Sequence, residues 1–129
     1  MIESGNRVRV RVAGFLVRDG RLLFISHKKD GRSYWLLPGG GVDHGESLEE
    51  ALRREFYEEL GVSVIVEQPI LMCDSIDPSG DRHIVNIIFA CSYSDGQFRL
   101  GEEERLNGFD FFAMDRIPGL TIFPPINKG

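Results

Sequence analysis

Apolar and polar residues alternate over positions 7–17. Val8, Val10, Val12, Gly14 and Leu16 fall on one face, and Arg7, Arg9 and Arg11 on the other. That period of two is the signature of a half-buried strand. Asp19-Gly20 predicts a hairpin turn, with a returning strand over 22–26. A charged loop follows at 28–33, then a short apolar segment at 34–37 that Pro38 halts. Residues 39–47 read as a glycine-rich loop. Ser47-Leu48-Glu49-Glu50 is a capping box, so a helix is predicted from there to Leu60, where Gly61 supplies the stop. Strands are predicted at 62–66 and 70–73, a turn at Asp77-Pro78-Ser79-Gly80, a long strand at 84–93, a turn at 94–96 and a strand at 109–113. Pro118, Pro124 and Pro125 exclude a regular helix in the tail. Strands on both sides of one strong helix indicate a mixed α/β architecture. Without a repeat or a shift in composition, one domain over 1–129 is expected.

The helix departs from simple amphipathicity. With Leu48 set at zero on a helical wheel, Leu52, Phe56 and Leu60 fall at about 40°, 80° and 120°, and Ala51 at about 300°. These define the buried stripe. Glu59 then lies at about 20°, Glu55 at about 340° and Glu58 at about 280°. Two of the three carboxylates thus point into the apolar arc, where an ionised group is costly unless paired or metal-bound. A divalent cation would answer this; so would a helix laced by salt bridges to Arg53 and Arg54, and the wheel does not choose between them. Pro38-Gly39-Gly40-Gly41 just before the helix lets backbone approach a ligand closely, and its carbonyls suit a hard cation; read alone, it is equally a flexible connector.

Composition sharpens this. The formal net charge is −5, which argues against duplex nucleic acid as a partner and poses a question for an anionic substrate that a bound cation would resolve. Cys73 and Cys91 stand apart in strand-like runs and read as buried reduced thiols. The first residues lack the pattern of a signal peptide. No apolar stretch nears the ~20 residues of a membrane span, so a cytoplasmic location without membrane contact is expected.

Gly40, Glu46 and the run Arg54-Glu55-Phe56-Tyr57-Glu58-Glu59-Leu60-Gly61-Val62 fit every position of G-x5-E-x7-R-E-U-x-E-E-x-G-U, where U is a bulky apolar residue. A chance match is on the order of one in ten million. The chain resembles the Nudix hydrolases. More loosely, Trp35 to Gly40 is similar to that family's lead-in strand, and Phe109 to Pro118 to its last strand and turn. The family's second substantial helix is expected to be short or missing, since residues 121–129 hold Pro124 and Pro125.

The resemblance implies an α/β/α sandwich around a mixed sheet, with the C-terminal helix short or missing, and apolar sheet surface that a homodimer would cover. It implies Mg²⁺, for which Mn²⁺ can substitute, held by Glu55, Glu58, Glu59 and the carbonyl of Gly39. Arg54 would orient the glutamates, and Glu46 would be a structural or water-linked acid. The cation would neutralise the phosphate oxygens, position a water in line with the scissile bond and lower its pKa. Glu58, Glu59 or a glutamate of the 102–104 run, Glu103 in particular, would take the proton; that run also reads as an exposed acidic loop.

The expected substrate is a nucleotide-type small molecule. Pro78 lies at a spacing similar to that of ADP-ribose hydrolases, and equally reads as a turn proline. Arg9 and Arg11 are candidates for phosphate contact, against a solvated strand face. Trp35 is a candidate for base stacking, against core packing. His27, His44 and His83 form no ligand spacing and receive no role. An ADP-ribose-type substrate is favoured. A nucleoside triphosphate pyrophosphatase and a non-catalytic nucleotide-binding module are the alternatives; such modules typically lose box glutamates, and this chain keeps all of them.

Overall fold

The computed structural model describes residues 7–119. Its elements are β1 (Val8–Arg18), β2 (Arg21–Lys29), β3 (Arg32–Leu36), β4 (Gly39–Gly41), α1 (Leu48–Leu60), β5 (Val62–Ile76), β6 (His83–Gly96), β7 (Leu106–Ala113) and a 3-10 helix (Met114–Gly119). The strands form one seven-stranded sheet with the path β3-β2-β1-β6-β5; β4 also pairs with β1, and β7 with β2. β1 runs parallel to β6, and the other pairings are antiparallel. This is the mixed α/β sheet expected from the order of elements.

The change of neighbour along β1 creates the site. Arg11, Val12 and Ala13 pair with Gly41, Gly40 and Gly39, whereas Val17 and Arg18 pair with Leu22 and Arg21. Between those registers the Gly14 N–H donates to the Pro38 carbonyl at 2.9 Å. The two flanks of β1 therefore part, and the cleft opens beside β4.

α1 covers one face of the sheet. Ala51, Leu52, Phe56 and Leu60 are fully buried with Val12, Leu16, Leu23, Ile25 and Val62. Truncating a buried phenylalanine such as Phe56 to alanine costs about 3–5 kcal/mol. A second cluster of Ala13, Leu22, Phe24, Leu37 and Ile88 is flanked by Trp35 and Phe112. Leu48, placed in the buried stripe by the wheel, is 37% exposed, because the first turn runs past the sheet. Among the described residues α1 is the one α-helix. Residues 121–129, on which the short C-terminal helix and the homodimer expectation rest, lie outside the described residues.

Several loops prove to be strands. The charged stretch at 28–33 belongs to the β2–β3 hairpin, whose turn is Asp30-Gly31 with φ of 53° and 76°. Asp19-Gly20 has the same left-handed pair at 52° and 75°, and paired left-handed residues match the twist of the flanking strands. Gly39–Gly41 pairs as β4 instead of looping. The two strands predicted at 62–66 and 70–73 are one strand, β5, with irregular register on both sides of Pro69, which has no N–H to give a ladder. Ser94–Gly96 continues β6, and Gly96 faces Val62. Cys91 is buried and Cys73 only partly so, both as free thiols. No helix among the described residues is long and apolar enough to cross a membrane.

A Cβ on Gly39 would lie 2.0 Å from the Val12 carbonyl oxygen, while one on Gly41 meets nothing within 4 Å. Gly39→Ala is expected to lower stability by about 2–3 kcal/mol, and Gly41→Ala to change it by less than about 0.5 kcal/mol. Urea titration of the two variants checks this; equal losses would show that the close approach of β4 to β1 is not what fixes Gly39.

Candidate active site

The helix is held in one rotational setting by its ends. The Ser47 hydroxyl accepts from the Glu50 N–H at 3.0 Å, and the Glu50 carboxylate accepts from the Ser47 N–H at 2.9 Å. Hydrogen bonds from the Ser47 backbone and then its side chain hold the Glu50 carboxyl below its usual range. Gly61 closes the other end in the left-handed region, at φ 70°, with its N–H on the Tyr57 carbonyl. Fixed this way, α1 turns Glu55 and Glu59 toward the glycine strand.

Glu59 is fully buried. Its Oε1 accepts the Gly39 N–H at 3.1 Å. Its Oε2 has no hydrogen-bond partner, though His27 Nε2 lies at 3.6 Å and an Arg105 guanidinium nitrogen at 3.9 Å. Glu55 is also buried. Its Oε2 accepts from Arg54 at 2.8 Å, and its Oε1 has no partner. A Cβ on Gly40 would lie 2.4 Å from the Glu55 carboxyl carbon, so this glycine is what leaves room for the acid. Each carboxylate thus keeps one satisfied oxygen and one orphan, in a place where buried acceptors are normally paired.

Arg54 ties the acids together. It binds both oxygens of Glu46, at 2.7 and 2.9 Å, and also Glu55, Glu58 and the Gly41 carbonyl. The Arg54 hydrogen bond pulls Glu46 down to about 2, and the guanidinium is itself held above its usual range, chiefly by Glu46. Arg53 pairs with Glu49 on the surface. The salt-bridged reading of the helix therefore holds for Glu46, Glu49, Glu55 and Glu58, and fails at Glu59, which neither helix arginine reaches within 4 Å.

The residues present suit a hard cation in part. Among the described residues no three His, Cys, Asp or Glu side chains converge on one point. Glu55 and Glu59 offer two orphan oxygens, and Glu58, half exposed, is turned to Arg54. A cation of the Mg²⁺ kind takes few protein carboxylates and completes its shell with water and substrate oxygens, which fits two acids at an open cleft.

Beside them lies a pocket of about 250 Å³ lined by Arg9, Arg11, Arg82, Arg105, His27 and the glycine strand. Arg11 is partly buried and gives a hydrogen bond to the Leu37 carbonyl at 3.0 Å. Burial lowers its pKa, against the opposing pull of Glu59 and Glu55. An acidic chain thus presents a locally cationic pocket, which answers the question raised by the net charge of −5.

The other expected residues are dispersed. The Glu103 carboxylate is half exposed and binds Arg105 at 2.7 Å. Pro78 lies in the β5–β6 turn and lines a neighbouring pocket that shares Arg82 and Ile84 with the first. Trp35 packs edge-on to Phe112 at 4.9 Å, beside the second core cluster and outside the lining of the cationic pocket. His27, Arg82 and Arg105 had no sequence signal. The pairing of β2 with β7 brings in the first and last, since His27 faces Leu106 and the Lys28 N–H binds the Arg105 carbonyl at 2.9 Å; Arg82 comes from the β5–β6 turn, where its carbonyl accepts the Asp77 N–H.

The NUDIX domain pattern matches residues 5–127, and the chain belongs to the Nudix family. It is 30% identical over 113 residues to an ADP-ribose pyrophosphatase of Methanocaldococcus jannaschii, covering 87% of this chain and 66% of that protein. It is 31% identical over 109 residues to the nucleoside triphosphatase NudI of Escherichia coli, covering 75% of this chain and 77% of that protein. The match spans about half to two thirds of the first curated relatives' own lengths. A MutT NUDIX hydrolase from Burkholderia pseudomallei superposes with a TM-score of 0.77 at 34% identity, over 84% of this chain and 85% of that one.

Burial, then the Glu59 charge, raises the Glu55 carboxyl from 4.5 to about 6. Folding therefore favours protonated Glu55, and the metal-free protein loses stability as pH rises from 4.5 through about 6. The loss is about 2 kcal/mol. Melting curves in EDTA between pH 5 and 7.5 are expected to show it, and Glu55→Gln to remove it. A pH-independent difference between wild type and Glu55→Gln would mean that Glu55 is not a strained carboxylate.

Proposed function

We infer that this protein hydrolyses a phosphoanhydride bond in a nucleoside diphosphate linked to another moiety, with an ADP-ribose-type substrate favoured and Mg²⁺, or Mn²⁺, required. One observation carries the reading: two buried carboxylates, each with an orphan oxygen, face a glycine strand at the edge of an arginine-lined pocket. Such oxygens want a cation, and such arginines want phosphate.

Glu55 and Glu59 would hold the cation, with Glu58 and the Gly39 carbonyl as further oxygen donors. When bound, it supplies charge neutralisation of the diphosphate and a more acidic water. The chain's own residues do the rest. Arg9, Arg11 and Arg105 bind and orient the phosphates. Arg54 fixes Glu55 and Glu58 in place. Glu58, beside Glu55 on Arg54, or Glu103, on the pocket residue Arg105, would take the proton of the attacking water. Glu59 is fully buried against Gly39 and is committed to the cation first.

A second reading, nucleoside triphosphate pyrophosphatase, has its own support. Lys28, Lys29 and Arg105 line a further pocket of about 480 Å³ with Asp30 and Glu104, so three cations against two acids would meet another phosphate there. The E. coli relative is a nucleoside triphosphatase.

A substrate panel with Mg²⁺ decides between them. ADP-ribose is expected to give AMP and ribose 5-phosphate, faster than a dNTP gives dNMP and pyrophosphate; the reverse order would favour the second reading. Chelation with EDTA should abolish turnover. Glu59→Gln keeps the acceptor for the Gly39 N–H and removes one of two neighbouring charges. Its activity should fall by orders of magnitude while its metal-free melting temperature holds or rises. A destabilised yet active variant would remove Glu59 from the metal site.

A further inference from the structure

We propose that Arg82 and Ile84 select the substrate, with the nucleoside seated in the Pro78 pocket and Arg82 gripping its phosphate. This rests on the phosphoanhydride reading above. Arg82 and Ile84 are the wall between two adjoining pockets, each of about 250 Å³. On one side is the arginine-lined pocket beside Glu59. On the other are Ser75, Ile76, Asp77 and Pro78.

Three observations give the wall its role. Arg82 is anchored by its backbone: its carbonyl accepts the Asp77 N–H at 2.9 Å, and the turn is closed by Gly80 on Asp77 at 2.8 Å. Yet among the described residues its guanidinium makes no ion pair, whereas Arg53, Arg54 and Arg105 are all paired with carboxylates. An exposed guanidinium without an ion-pair partner, on an anchored turn at the boundary of the phosphate pocket, is suited to an anion that arrives with the ligand. Next, the far pocket has the walls a flat ring needs, from Ile76, Pro78 and Ile84. Finally, it offers a hydrogen-bond donor. Buried Asn86 donates to the Ser75 hydroxyl at 3.3 Å, which leaves the Ser75 proton to give to a ligand. An apolar slot with a few placed polar groups is the usual form of a small-molecule site. The pocket lined by Lys28, Lys29, Arg105, Asp30 and Glu104 has no apolar side chain in its lining, so it lacks the walls a base needs.

The test uses two ligands without an anhydride bond, AMP and ribose 5-phosphate, titrated by calorimetry in Mg²⁺ buffer. AMP is expected to bind about tenfold tighter, because only it fills the apolar slot. Ile84→Ala should erase most of that advantage and leave ribose 5-phosphate binding unchanged. Arg82→Ala should weaken both ligands by about tenfold, through the lost phosphate contact, with Arg82→Lys recovering part of it. Melting curves establish that each variant folds, and Ile84→Val serves if Ile84→Ala does not. Equal affinity for the two ligands, or an Ile84 variant that leaves AMP unaffected, would overturn the assignment. So would loss of the AMP preference in Lys28→Ala or Lys29→Ala with Arg82 and Ile84 variants unaffected. An intact AMP preference with no turnover of any diphosphate would instead sink the proposed function and leave the nucleoside slot standing.

Discussion

Two carboxylates are buried where folding alone would not put them, and much of the local structure exists to hold them there. An ionised acid without full pairing in an apolar setting is costly, and Glu55 and Glu59 each keep an orphan oxygen. Around them the chain has made concessions. Gly39 presses against Val12 so that its N–H can reach Glu59, and Gly40 gives up a side chain to make room for Glu55. Arg54 spends its guanidinium on Glu46, Glu55, Glu58 and a carbonyl. The capping box and Gly61 fix the rotation of the helix. Without the acids, none of these features needs to occur together.

The same constraint organises the charges outside. Arg11 is driven partly under the surface beside the acids, and Arg9, Arg82 and Arg105 ring the cleft. The result is a short gradient from buried negative to exposed positive charge. A cation at the acids and a polyphosphate at the arginines would each neutralise the other's environment. The family's shared box thus builds the reactive half of the site, while the β5–β6 turn and the β2–β3 hairpin frame its two open sides.

Much of this was legible in the sequence. Alternation gave β1, Asp19-Gly20 gave its turn, and the Ser47 box and Gly61 bounded α1 closely. The helical wheel places Glu55 and Glu59 on the inner arc, since both depend only on local periodicity. Leu48 failed because a wheel does not know where the sheet ends. The β2–β3 hairpin was missed although Asp30-Gly31 carries the same signal as Asp19-Gly20; the charged residues around it suggested a loop and outweighed the turn. Gly39–Gly41 was read as a loop because glycines carry no strand pattern, and pairing with β1 supplied what propensity lacked. His27, Arg82 and Arg105 were illegible for a deeper reason. His27 and Arg105 approach Glu59 only through the pairing of β2 with β7, and Arg82 reaches the pocket only from the β5–β6 turn; no spacing encodes that.

A divalent cation held by the buried carboxylates of Glu55 and Glu59 can be observed directly. Crystals of the protein grown or soaked with Mn²⁺ and measured at the manganese absorption edge would locate the ion without reference to activity. An anomalous peak within coordination distance of Glu55 Oε1 and Glu59 Oε2, lost in Glu59→Gln, is the result expected. A peak elsewhere, or none at saturating Mn²⁺ with both carboxylates ordered as they stand, would contradict the account.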